Sequence, residues 1–237
     1  MIRLSVNLNK IALIRNARGG KLPDLLLAAS RAEHYGADGI TVHPRPDQRH
    51  ITYQDVVDLK SVVKTEFNVE GYPDRKFMDL VCKVKPNQVT LVPDAPDALT
   101  SNAGWDAIKE GAFLTEVVSE LKSNGIRTSL FMDTDFSMYD AAAATGADRI
   151  ELYTEAYATG FLENKSAAVK PYTRAADAAH KLGLGVNAGH DLNSVNLHFF
   201  AQEVPHLLEI SIGHALISEA LYLGFENTIQ IYLRQLK

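Results

Sequence analysis

The sequence predicts a (β/α)8 TIM barrel spanning residues 1–237, and three observations carry that prediction. Eight short apolar runs recur along the whole chain, and each ends in a polar or ionisable residue. Helix-like segments separate the runs. The joints from helix to strand are short and carry a glycine, whereas the joints from strand to helix are longer and carry the charged residues. A barrel gathers the C-terminal ends of its strands around one mouth, where the chemistry sits. The alternation of strand and helix excludes an all-β sandwich. Eight units without a glycine-rich dinucleotide loop favour closure over an open doubly wound sheet.

Taken in order, the first run reaches Val6 and ends at Asn7, and Arg15-Asn16-Ala17-Arg18-Gly19-Gly20 then forms a glycine-containing loop. Gly36 closes a helix ahead of Ile40-Thr41-Val42, which leads to His43. Thr52 has the chemistry of an N-cap for a helix whose Val56, Leu59 and Val63 share a face. Asn68-Val69 leads to Glu70, and the stretch from Met78 to Val84 holds Cys82 as a buried small hydrophobe. Val89 to Val92 leads to Pro93-Asp94, followed by a long excursion to Gly111 that contains Thr100 and Trp105. Leu114, Val117, Val118 and Leu121 mark an amphipathic helix closed by Gly125, and Ser129 to Met132 leads to Asp133. Gly146 precedes Arg149-Ile150 and Glu151. Tyr157 to Tyr172 reads as a second long excursion, with Pro171 starting a helix. Gly183 precedes Gly185-Val186 and then Asn187 to His190. The last run, Ile210-Ser211-Ile212, precedes Gly213-His214. Long loops in a compact domain tend to be lids or binding loops.

Bulk properties narrow the function classes. At 237 residues and 46% hydrophobic, the chain suits one barrel domain. Its net charge of -5 and pI near 5.9 provide no global field for nucleic acid or anionic membrane. Any anionic ligand must therefore be held by a few local cations. No run approaches the roughly 18 apolar residues of a membrane span, and no signal-peptide series opens the chain. One cysteine rules out an intrachain disulfide and a cysteine metal site, so a reducing, cytoplasmic setting is expected.

The densest chemistry follows the second run, where Thr41 to His50 brings two histidines and two arginines together. Arginine suits phosphate because its fork donates two hydrogen bonds, so an anion-binding loop with an acid/base residue is expected; a solvated charged turn is the competing reading. Asn187-Ala188-Gly189-His190-Asp191 could present His190 to the mouth, or hold a structural His–Asp pair. Ile212-Gly213-His214-Ala215-Leu216 opens a helix whose free N–H groups suit a phosphate, or simply caps it. Glu70 and Glu151 could be acids or bases with raised pKa, or partners of structural arginines. Asn7 faces the mouth, and Arg18 is a second phosphate candidate. His34, His180, His198 and His206 read as structural or surface residues, and no metal-ligand spacing appears.

These motifs, collinear from Val6 to about Ala220, resemble the pyridoxine 5′-phosphate synthase family, the ring-closing enzymes of vitamin B6 biosynthesis. The specific pieces are Arg15 to Gly19, Gly36 to His43, Arg49-His50-Ile51, Asn187 to His190 and Ile212 to Ala215. The resemblance implies a barrel with additional helices that mediate assembly into a homo-octamer. It implies condensation of 1-deoxy-D-xylulose 5-phosphate with 3-amino-2-oxopropyl phosphate, giving pyridoxine 5′-phosphate, phosphate and water without metal or organic cofactor. His43, Glu70 and His190 would be the acid/base residues, and Glu151 would stabilise charge in a transition state. Asn7, Arg18, Asp191 and Gly213-His214 would hold the amino ketone phosphate; Arg45, His50 and Thr100 would hold the deoxyxylulose phosphate. Asn9-Lys10 stands where many members carry Asp-His, so these two would contact the same phosphate sugar differently. Closure of the Arg45 to His50 loop would exclude water.

Two other readings remain at this level. A Schiff-base aldolase would need a lysine of lowered pKa, for which Lys10 is the candidate. A noncatalytic barrel would bind phosphosugars without turnover.

Overall fold

The computed structural model describes residues 1–93 and 103–237, so Asp94 and Thr100 lie outside the described residues. Eight parallel strands close in chain order into a barrel. They are β1 (Arg3–Asn7), β2 (Gly39–Val42), β3 (Glu66–Gly71), β4 (Gln88–Leu91), β5 (Arg127–Met132), β6 (Arg149–Tyr153), β7 (Gly185–Gly189) and β8 (Leu207–Ile212). β1 pairs with both β2 and β8, which shuts the sheet. The helices are α1 (Asn9–Asn16), α2 (Leu25–His34), α3 (Tyr53–Val62), α4 (Arg75–Val84), α5 (Gly111–Ser123), α6 (Tyr139–Ala144), α7 (Glu155–Lys181), α8 (Leu197–Glu203), α9 (His214–Leu223) and α10 (Phe225–Gln235).

Strand residues alternate with a period of two, and the two faces differ in chemistry. Leu4, Val6, Ile40, Val42, Phe67, Val69, Ile150, Leu152, Ile210 and Ile212 are buried in the hydrophobic core beneath the helices. Burying such a side chain contributes roughly 1.5–3 kcal/mol. The other face is polar. At the base, Arg3, Arg127 and Arg149 surround Glu66 and Glu209: Arg3 lies 2.8 Å from Glu66, and Arg149 lies 3.8 Å from Glu209. Midway up, the Ser5 and Thr41 hydroxyls meet at 2.7 Å, and Thr90 donates to Asn68 at 3.1 Å. Above these sit the residues of the mouth. This interior departs from the branched apolar layers that usually fill such a barrel.

The local signals explain the joints. Thr52 and Asp55 form a reciprocal capping box at the start of α3. Gly36 and Gly146 adopt left-handed backbone, with φ of +99° and +84°, where a Cβ would be strained. Trp105, 5% exposed, anchors the chain entering α5 by donating its indole N–H to the Leu91 carbonyl.

Two expectations are corrected. Residues 157–172 are not a loop: they belong to α7, which is interrupted only at Asn164, where φ is -157°. Asn164 caps the second half by accepting from the Ala167 N–H, so that helix begins there and Pro171 sits inside it rather than at its start. Proline is tolerated here because α7 packs its buried Val169, Tyr172 and Ala175 into the core, although Pro171 offers no N–H to the preceding turn. Cys82 is only partly buried, with its Sγ 3.8 Å from Glu120. In the apolar C-terminal helix α10, Ile229 is fully buried, and Ile231 and Leu233 pack against the core.

Candidate active site

A cavity of about 530 Å³ opens at the C-terminal ends of the strands. Period-two alternation puts His43, Glu70, Tyr153 and Ser211 on its wall, since each lies on the inward face of its strand or directly beyond it. Asn7, Asn9, Lys10, Arg45, His50, His190, Asp191, Gly213 and His214 complete the predicted set that lines it. Glu151 lies just beneath, 1% exposed.

Two imidazole–carboxylate pairs face one another across this mouth. His43 Nδ1 lies 3.7 Å from Glu70 Oε2 on the β2–β3 side. His190 Nδ1 lies 3.8 Å from Glu151 Oε1 on the β6–β7 side. Burial holds the His43 imidazole well below its usual range, and the charges of Arg45, His50, His190 and Arg49 push the same way. Burial and Arg45 bring His190 down to about 4. Both rings are therefore neutral at pH 7 and available as bases. Burial raises the Glu151 carboxyl, opposed by a hydrogen bond from Thr90, so this group tends to keep its proton. His190 is further held by Phe131, whose ring centroid is 4.9 Å away, and by its backbone at φ +88°. A non-glycine residue there costs roughly 1–3 kcal/mol, and such strain collects at functional sites.

The basic loop is held from α1. Arg15 forms a bidentate pair with Asp55 at 2.6 and 2.8 Å and donates to the His50 carbonyl. Asn16 Nδ2 donates to the carbonyls of Arg49 and His50. The Arg15-Asn16 motif thus anchors the loop that carries Arg45, which is 4% exposed. Asn9 Oδ1 accepts from the His43 N–H at 2.9 Å, and Asn7 Oδ1 accepts from the Asn9 N–H at 3.0 Å. An amide at position 9 keeps the acceptor that fixes the end of β2 while removing a negative charge from the mouth. Lys10, beside it on α1, adds a positive charge felt by His50.

On the other side of β1 from this loop, α9 follows its N-cap Gly213, and Gly213 and His214 both line the cavity, so the helix N-terminus offers an anion site. Gly213 passes so close to Asn7 that a Cβ would stand 3.0 Å from the Asn7 Cβ. Asp191 lies between His190 and this helix. Burial and the neighbouring Glu155 raise its carboxyl pKa. A side pocket of about 340 Å³ continues from here past Glu155 and Thr159.

One predicted binder stands apart from this cluster. Arg18 is exposed on the turn after α1 and does not line the cavity. Thr100 lies outside the described residues. Four lining residues were not among the predicted site residues: Leu13, Arg49, Tyr153 and Ser211. Tyr153 and Ser211 carried a usable signal, because each stands an even number of residues from an inward residue of its strand. The four remaining histidines, His34, His180, His198 and His206, are exposed, as expected. Among the described residues no group of three or more His, Cys, Asp or Glu has metal-binding geometry, and no helix is long and apolar enough to cross a membrane.

His50 gives a testable pH dependence. Burial, then Arg45, lowers its pKa to about 4, below the roughly 6.5 of an unfolded chain. Between these values the unfolded state binds the extra proton, so this contribution to stability is full above pH 6.5 and is lost as pH falls toward 4. His50→Gln, whose amide can still accept from the Ile51 N–H, is expected to show a smaller fall in Tm between pH 7 and 4.5 than the parent. Equal falls in thermal melts would disprove this.

Comparison with known proteins adds an independent line. Residues 4–237 match the family model described as pyridoxal phosphate biosynthesis protein PdxJ. The chain is 62% identical over 237 residues to a pyridoxine 5′-phosphate synthase of Cytophaga hutchinsonii, covering 100% of both. It is 60% identical to that of Christiangramia forsetii, again covering 100% of both. Among solved structures it resembles a 4-hydroxy-2-oxoglutarate aldolase/2-deydro-3-deoxyphosphogluconate aldolase, with a TM-score of 0.67 at 14% identity over 99% of this chain and 94% of that one. It also resembles 3-keto-L-gulonate-6-phosphate decarboxylase from Vibrio cholerae, with a TM-score of 0.66 at 10% identity over 99% and 97%. These two likenesses establish the barrel alone.

Proposed function

The chain belongs to the pyridoxal phosphate biosynthesis protein PdxJ family and makes pyridoxine 5′-phosphate, and from that premise we propose how its mouth does so. Two phosphorylated substrates, 1-deoxy-D-xylulose 5-phosphate and 3-amino-2-oxopropyl phosphate, condense between the two imidazole–carboxylate pairs. That opposed pairing, together with the anion-holding elements that follow β2 and β8, is the observation that carries the reading.

The chemistry needs what the site offers. The amine must attack a ketone and lose water to form an imine. Protons must then leave carbon, a phosphate must depart, and the ring must close and aromatise. Neutral His43 and His190 accept protons, and Glu70 receives or returns them on the β2–β3 side. Glu151, buried and raised in pKa, donates or stabilises cationic charge beside His190. A bound phosphate dianion near Arg45 would offset part of the charge that depresses both histidines, so substrate binding itself raises their pKa and makes them better proton acceptors.

Arg45, His50, Lys10 and Asn9 hold the deoxyxylulose phosphate, with Thr100 assigned there by the family resemblance alone and Arg18 assigned to the amino ketone phosphate by its loop and the resemblance. Gly213 and His214 hold the amino ketone phosphate at the α9 N-terminus, with Asn7 orienting its carbonyl. Asp191, whose carboxylate a phosphate would repel, is placed to meet the amine. Phosphorylated substrates and a single cysteine support a cytoplasmic setting. Exposed Leu221 and Tyr222 on α9, beside Leu13 and Ile14 on α1, support assembly with further copies, which we take to be the octamer.

The test is direct. Purified protein mixed with both substrates is expected to release phosphate in step with the absorbance of pyridoxine 5′-phosphate. Folded protein that binds both substrates and forms no product would overturn the reading.

A further inference from the structure

Among the described residues Glu151 is hydrogen-bonded through Thr90, a residue with no role so far. The Thr90 hydroxyl, fully buried on β4, lies 3.3 Å from Glu151 Oε2 and 3.1 Å from Asn68 Oδ1. Both neighbours are acceptors when Glu151 is ionised, yet a hydroxyl has one proton to donate. An ionised Glu151 draws that proton and leaves Asn68 Oδ1 without it. A protonated Glu151 can instead donate to Thr90, which then donates to Asn68. Asn68 is tied in turn to Thr41 at 3.4 Å. The other carboxyl oxygen, Oε1, has no hydrogen-bond partner among the described residues and looks toward His190.

We propose that Thr90 is a positioning residue for the reaction: its hydroxyl reverses hydrogen-bond direction between Glu151 and Asn68, keeping the Glu151 carboxyl in one place against His190 as its proton comes and goes. The inference rests on Glu151 acting in turnover, as proposed above. The surroundings leave few alternatives for this task. From β7 the titratable neighbour is His190, itself under the charge of Arg45. From β5 come Ser129 and Phe131, which carry no charge, and β3 contributes neutral Asn68 at this level, with Glu70 above it. Tyr153 stands above Glu151 on its own strand. Below it, Arg149 is engaged with Glu66 and Glu209 of the base layer.

Thr90→Val keeps the shape and removes the hydroxyl, whereas Thr90→Ser keeps the hydroxyl and removes a methyl. Steady-state kinetics across pH 5 to 9 would compare them, taken here as roughly the range over which histidine and raised carboxyl groups titrate. Thr90→Val is expected to lose about tenfold in kcat, with KM for each substrate within about twofold. The limb of its pH profile that Glu151 controls is expected to move up by about one pH unit, because the ionised carboxylate has lost its donor. Thr90→Ser is expected to restore both. A Thr90→Val profile that superimposes on the parent overturns the inference, as does a loss that Thr90→Ser fails to rescue. If Thr90→Val does not fold, Thr90→Ala takes its place under the same criteria. Glu151→Gln separates the two levels: parental kcat in that variant overturns the role of Glu151 itself, whereas a low kcat there with an unshifted Thr90→Val overturns only this proposal.

Discussion

Glu70→Gln is expected to lower kcat by about a thousandfold while leaving the fold intact. Glu70 is 2% exposed, and its Oε2 lies 3.7 Å from His43 Nδ1. Glutamine reproduces its volume but can neither take a proton nor offer a negative charge to the histidine. In the proposed reading the Arg45 loop and the α9 N-terminus hold both phosphates, so KM should change little. Steady-state kinetics read both quantities, and a thermal melt checks the fold. A variant within tenfold of parental kcat would remove Glu70 from the proton-transfer set.

Arg149→Leu should have the largest effect on stability. Arg149 is 9% exposed at the barrel base, within 3.9 Å of Glu66 and 3.8 Å of Glu209. Removing one member of a buried ionic group leaves uncompensated charge and typically costs about 3–5 kcal/mol. Arg3 and Arg127 still face the carboxylates, so the lower end of that range is expected. The loss should depend on pH. Burial and the adjacent Glu66 already raise the Glu209 carboxyl, and removing a guanidinium raises it further. A group whose folded pKa is raised binds its proton more readily folded than unfolded, so falling pH stabilises the folded state. Denaturant unfolding at pH 8 and pH 5.5 should therefore show a smaller deficit at the lower pH. A deficit equal at both values would mean that the loss comes from packing rather than charge.

The strand ends were legible because a barrel converts sequence order into spatial order. Each apolar run points its last residue at the same mouth, so Asn7, His43, Glu70, His190 and Gly213 could be placed around it without coordinates. Capping chemistry was equally local: Thr52 and the joint glycines act within a few residues of themselves. The polar interior was also present in the sequence, in Arg3-Leu4-Ser5-Val6-Asn7 and Arg149-Ile150-Glu151-Leu152-Tyr153, but reading the runs only as apolar hid it. Tyr153 and Ser211 went unnoticed for the same reason. The helical character of residues 157–172 was obscured by Pro171, because a proline inside a helix is usually costly and there the packing of α7 outweighs it.

Other features depend on contacts that no single segment specifies. From the sequence, Arg15 and Asn16 belong to a glycine-containing loop in which Arg18 is the phosphate candidate. In the fold they brace the chain at Arg49 and His50, while Arg18 stays outside the cavity. Asn9 looks like a weakened copy of a carboxylate, yet its amide oxygen holds the His43 N–H. The sequence by itself determined the barrel, the ring of mouth residues and the family, because each rests on periodicity and motif order. Only the tertiary structure decided that His43 meets Glu70, that His190 meets Glu151, that both imidazoles are neutral, and that Thr90 reaches Glu151 across the barrel. Those outcomes follow from strand register, burial and charges brought together from distant parts of the chain, and they act over distances of a few ångströms that chain order alone leaves open.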